Sequence, residues 1–411
     1  MVERSKMKKI LYIFSIVTAI FLSCKATSSS EKTFPDYKYR AYIEERLEEL
    51  RNNKGEKGIP ILIDTLNKII NKKNSTKHLS SEEIYLGREA IKMLGKVKIE
   101  NPKNKILVIN KLLEISEKMS WFQSDAAQTL IVFGEKAVPG IIKILQKESF
   151  DGLDGRSEVL IDVLGEIGPD AKKALPLLRK LFQETYNKDN PFFHNYWSYL
   201  RWEIVNAIGK IGAKTDDSIA ILKSIIEKEE VKEGYLEMVI PQAQNWDILT
   251  IYEASKSLVA IAPTIEHKQK ANSALIKLFQ YTISNDVRFN KDLIKVIKEM
   301  NIEALYIFPD ILENLKNGDK NVKIWTLKCL NEFKQDLLTS IDVKEINQLR
   351  PYLKSESRFV RGLMARFIGK LGKKSKSVVP DLVQLINDKD EFVRIEAAKA
   401  MKRIENDNKK P

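Results

Sequence analysis

The sequence predicts an all-α protein, an α-solenoid of stacked antiparallel helix pairs. Three observations predict it. Near the C-terminus Val393, Ala397, Ala400, Met401 and Ile404 fall on one stripe at helical spacing. The segment that carries the stripe recurs upstream: Val360 lies 33 residues before Val393, Val322 lies 38 before that, and Val287 another 35. Periods of this size mark units that bury their apolar faces only by stacking on one another. No segment alternates apolar and polar residues as an exposed strand would. A length of 411 residues by itself suggests two or three domains. A repeat stack overrides that expectation, because each unit touches only its neighbours.

In chain order, residues 1–23 are read as a signal peptide. Arg4, Lys6, Lys8 and Lys9 precede an apolar run of 13 residues, Ile10–Leu22. That run is shorter than the ~20 residues that span a bilayer and suits the apolar region of a secretory signal. Phe21-Leu22-Ser23-Cys24 follows and is similar to the lipobox of bacterial lipoproteins, which implies lipidation at Cys24. A plainly secreted chain and an uncleaved anchor are the alternatives. Residues 24–33, with Ser28-Ser29-Ser30, read as a flexible tether. Residues 34–51 read as a helix that caps the first repeat. Another is expected at 59–70, entered at Pro60, followed by a polar loop at 71–78. Ser80-Ser81-Glu82-Glu83 opens the next helix, with Ile84, Ala90, Ile91 and Leu94 inward and a stop at Gly95, and residues 106–115 form its partner.

From there the repeats carry their own punctuation. Asp390 suits an N-cap ahead of Val393-Arg394 and Ala397-Ala398. Ile368-Gly369-Lys370-Leu371-Gly372 precedes Val379-Pro380, Leu164-Gly165-Glu166-Ile167-Gly168 precedes Leu175-Pro176, and Phe133-Gly134 precedes Val138-Pro139. Ile208-Gly209-Lys210-Ile211-Gly212 is a fourth copy without a following proline. Each glycine fits a helix C-terminus that needs positive φ. Each proline fits a first helical turn, where a missing N–H costs little. The pattern resembles HEAT repeats, in particular the short bacterial type, over roughly residues 85–405. The resemblance implies a solenoid over residues 34–411 whose surface binds other proteins.

Two segments break the rhythm, at 186–198 and 231–247. Both lie between the second helix of one repeat and the first helix of the next. Such connections share one edge of a solenoid, so the two are expected to be neighbours, and insertions of this kind often map to a binding face. The first is dense in aromatics: Phe192, Phe193, Tyr196, Trp197, Tyr199 and Trp202. Trp and Tyr combine large buried area with a polar handle, which favours interfaces. Tyr196, Trp197, Tyr235 and Trp246 are the expected partner contacts. The competing expectation is structural, with Tyr199 and Trp202 turned into the core and the others plugging a gap.

The formal charge is +13, and +10 without residues 1–23, whose four basic and one acidic residues would leave with a signal peptide. The excess points to acidic partners. Lys143, Lys147, Lys180, Lys223 and Lys277 on second helices would line one surface, unless they are simply solvated. Cysteines number two, and with Cys24 lipidated Cys329 has no partner, so it is expected as a small buried apolar residue. The three histidines, His78, His194 and His267, are scattered, so no metal site and no cofactor is expected. Gly209–Thr215 and Gly369–Ser375 lack the spacing of a phosphate loop. No catalytic motif is present. The expectation is a non-catalytic, lipid-anchored scaffold of the cell envelope that binds a protein partner, with neither nucleic acid nor a small-molecule substrate. A structural or assembly factor, or an enzyme whose site is built from the insertions, is the alternative.

Overall fold

The computed structural model describes residues 55–76, 79–147, 156–186, 194–228, 246–280 and 287–407, together with Glu45 and Glu48. The expected signal peptide, Cys24, the tether and most of the helix at 34–51 lie outside them, as does Tyr235. The described residues contain helices and no strand. The chain divides after Ala90 into two compact units.

In the first unit, α1 (Ile59–Thr76) buries Ile59, Leu62, Leu66, Ile69 and Ile70 along one stripe. It continues to Thr76, across most of the polar loop expected at 71–78. Lys72 and Lys73 are good helix formers, and Lys72 reaches Glu83 at 2.5 Å. Ser80 caps α2 (Ser81–Lys96): its Oγ accepts from the Glu83 N–H while Glu83 accepts from the Ser80 N–H.

The second unit is an α-solenoid. Its helices are the remainder of α2, then α3 (Pro102–Lys118), α4 (Gln123–Ile131), α5 (Val138–Lys147), α6 (Arg156–Ile167) and α7 (Leu175–Tyr186). They continue as α8 (His194–Ile211), α9 (Asp216–Lys228), α10 (Trp246–Ile261), α11 (Ile265–Lys277), α12 (Val287–Glu299) and α13 (Phe308–Asn317). The last are α14 (Lys320–Glu332), α15 (Val343–Leu349), α16 (Arg358–Lys370), α17 (Val379–Ile386) and α18 (Glu391–Asp407). First helices pack side by side as α4, α6, α8 and α10, and again as α12, α14, α16 and α18. One apolar core runs from Ile248 to Ile404.

The glycines of the repeat signature divide into two kinds. Gly134, Gly168, Gly212 and Gly372 have φ of +54 to +71°, the left-handed turn expected of them. Gly165, Gly209 and Gly369 sit inside their helices instead. A β-carbon on Gly369 would stand 2.4 Å from the Ala400 Cα, and one on Gly165 3.0 Å from the Ala207 Cα. They let adjacent first helices approach, so the expectation of a turn at every glycine is corrected. Gly95 is the same case: it lies within α2, against the Thr129 side chain, and does not stop the helix. Pro139, Pro176, Pro309 and Pro380 occupy first turns. Where no proline follows Gly212, the Thr215 Oγ1 accepts from the Ser218 N–H at the start of α9.

Charges tie neighbouring repeats. Lys173 meets Glu135, Arg179 meets Asp217, Lys270 meets Glu227, and Arg366 meets Glu396. Most of the lysines expected to line a basic surface are ion-paired as well, between repeats or, for Lys180, within its own helix. Lys147 faces Glu117, Lys180 faces Glu184, Lys223 faces Glu266 and Lys277 faces Asp310. Four of the five lysines of that stripe therefore face a carboxylate.

Candidate partner-binding site

Helix α8 begins at His194, inside the segment read as an insertion, so residues 194–198 are helical. This start puts Tyr196, Trp202 and Glu203 each three or four residues from Tyr199, beside it on the helix surface. Helix α10 begins at Trp246 and packs along α8, which brings Trp246 to that face. Trp246 stands 4.8 Å from the Tyr199 ring, edge-on, and 5.1 Å from the Trp202 ring. Trp202 stacks on Tyr199 at 6.0 Å. The helices that follow the two rhythm breaks therefore pack side by side; most of the breaks themselves, residues 187–193 and 229–245, lies outside the described residues.

Tyr196, Tyr199, Trp202 and Trp246 are each partly exposed. Trp197 is 7 % exposed and meets Tyr196 at 5.0 Å, edge to ring. Its indole belongs to the core, which corrects the expectation of a surface contact there. Tyr199 and Trp202, which the competing structural expectation turned into the core, keep part of their surface. The helical spacing of 196, 199 and 202 carries that signal.

Carboxylates border the rings. The Tyr199 hydroxyl donates to Glu203 Oε1 at 2.7 Å. Burial, the bond to Glu203 and its charge push the Tyr199 hydroxyl far above its usual range. Glu203 is 8 % exposed. Burial raises its carboxyl above the usual carboxylate range, assisted by the charges of Asp162 and Glu158 and opposed by the Tyr199 hydroxyl and Lys210. Lys210, two turns along α8, donates to Asp162 at 3.0 Å and to Glu166 at 2.6 Å.

The remaining candidates are structural. Cys329 is buried and its thiol is pushed up to about 12 by burial, the small apolar role expected. The His267 Nδ1–H donates to the Ala262 carbonyl at 2.9 Å. Gly209–Thr215 and Gly369–Ser375 lie at repeat turns, where the Ser375 hydroxyl donates to the Ile368 carbonyl. Among the described residues no three His, Cys, Asp or Glu side chains converge as metal ligands, and no helix is long and apolar enough to cross a membrane.

Residues 346–411 match the family model for HEAT repeats. The match covers the end of α15 and all of α16 to α18. The chain is also similar to two solved structures of engineered proteins. One has 15 % identity and a TM-score of 0.31, over 83 % of this chain and 88 % of the other. The second has 16 % identity and a TM-score of 0.26, over 73 % of this chain and 97 % of the other. No characterised protein matches the sequence.

Proposed function

We propose that this chain is a non-catalytic scaffold of the cell envelope, tethered by lipid at Cys24, that holds a partner protein on the α8–α10 face. The observation that carries the reading is the meeting of Trp246 with Tyr199 and Trp202, three partly exposed rings held by two packed helices. Rigid aromatic anchors bury large area at little entropic cost, which is the composition of interface hot spots. A stack of helix pairs offers extended surface of this kind. The basic n-region, the apolar run and Ser23-Cys24 support the tether.

Two measurements test it. Mass analysis of the mature chain should find an N-terminus at Cys24 carrying acyl groups; an unmodified N-terminus elsewhere removes the tether. A photo-crosslinking amino acid at position 196 of the full chain should give one discrete protein adduct in envelope membranes. The same probe at Val132, exposed on another element, should not. Equal labelling at both positions contradicts the binding face.

A further inference from the structure

Glu203 differs from the other deeply buried carboxylates of the solenoid whose partners are described. Asp381 and Glu396 are each 4 % exposed, and each is held by an arginine: Arg350 at 2.5 Å and Arg366 at 2.8 Å. Asp388, which is half-buried, is likewise held by Arg361 through both oxygens at 2.8 Å. Among the described residues no lysine or arginine comes within ion-pair distance of Glu203, which accepts from the Tyr199 hydroxyl. The nearby Lys210 is committed to Asp162 and Glu166. A buried carboxylate without a cation is costly, and a cation supplied from outside relieves it. The rings around Tyr199 add the second half of such a site, because ring faces attract cations within about 6 Å.

We propose that the α8–α10 face takes a lysine- or arginine-bearing segment of the partner protein, with its cationic head between Glu203 and the rings of Trp202 and Trp246. This rests on the reading of that face as the partner site and names the chemistry of its occupant. The net charge of +13 opposes indiscriminate attachment of a basic chain, so affinity for one reports a local site.

The probe is a fluorescein-labelled tetra-arginine peptide, titrated by anisotropy against the full chain in neutral detergent, with a tetra-glutamate peptide as control. The arginine peptide should bind. Glu203→Gln should weaken it about tenfold or more, as expected for loss of a hydrogen bond to a charged group. Trp246→Ala should weaken it about threefold to thirtyfold. Because Trp246 is partly exposed, this second variant keeps the test open if Glu203→Gln fails to fold. Equal arginine-peptide affinity in wild type and both variants overturns the proposal. No arginine binding to wild type, with the adduct from position 196 still formed, overturns the basic segment and leaves the face standing. Loss of both removes the face itself.

Discussion

Arg361 shows how a single residue of the repeat signature acts. It follows Val360 in the Val-Arg pair and is 7 % exposed. Its guanidinium grips both Asp388 oxygens and donates to the Ser355 and Glu356 carbonyls, so one side chain joins α16 to the turn before α18. Removing one partner of a buried pair leaves the other uncompensated, so Arg361→Ala should lower unfolding free energy by about 3 kcal/mol or more in denaturant titrations. The Arg361 guanidinium holds the Asp388 carboxyl below the usual carboxylate range. A depressed pKa contributes stability that is full above the unfolded value near 4 and is lost as pH falls through the folded value. The stability gap between wild type and Asp388→Asn should therefore be constant above about pH 5 and shrink below pH 4. The aromatic residues divide by burial. Trp197→Ala should cost about 3 kcal/mol or more, as a buried Trp truncation does, whereas Trp246→Ala should leave the fold near wild type in thermal melts.

At the scale of the element, the paired glycines separate two physical demands that a pattern of letters merges. Gly369 is needed for interhelical distance and Gly372 for a left-handed turn. Gly369→Ala forces a methyl against the Ala400 backbone and should destabilise by about 1–3 kcal/mol, with the α16–α18 contact affected. Hydrogen exchange across those two helices checks it: protection that falls in α16 and α18 agrees, and unchanged protection contradicts the packing role. The turn glycines were legible in the sequence, because a Gly ahead of a Val-Pro or Leu-Pro start has a local explanation. The packing glycines were not, since their reason lies on a helix 31 to 48 residues away: Ala400 for Gly369, Ser257 for Gly209. The same limit acted at the candidate site. Tyr196 and Trp246 could be chosen from composition, but their meeting with Tyr199, Trp202 and Glu203 depends on α8 starting at His194 and on α10 lying along it.

At the scale of the molecule, stacking was the most legible property, because the repeat period is written in the spacing of Val287, Val322, Val360 and Val393. The meaning of the charge was not. Lysines that look like a basic face become inter-repeat and intra-helix ion pairs once second helices align, while the buried Glu203, with no ion pair among the described residues, accepts from the Tyr199 hydroxyl. Surface is what such a stack provides, and its proposed use lies at one aromatic face. The most direct test is quantitative capture of the partner crosslinked in envelope membranes, comparing Trp246→Ala with Trp121→Ala, a control tryptophan that is 56 % exposed elsewhere. With the crosslinker installed at Tyr196 in both chains, the account predicts at least a tenfold loss for Trp246→Ala and none for Trp121→Ala. Equal capture by the two variants would contradict it.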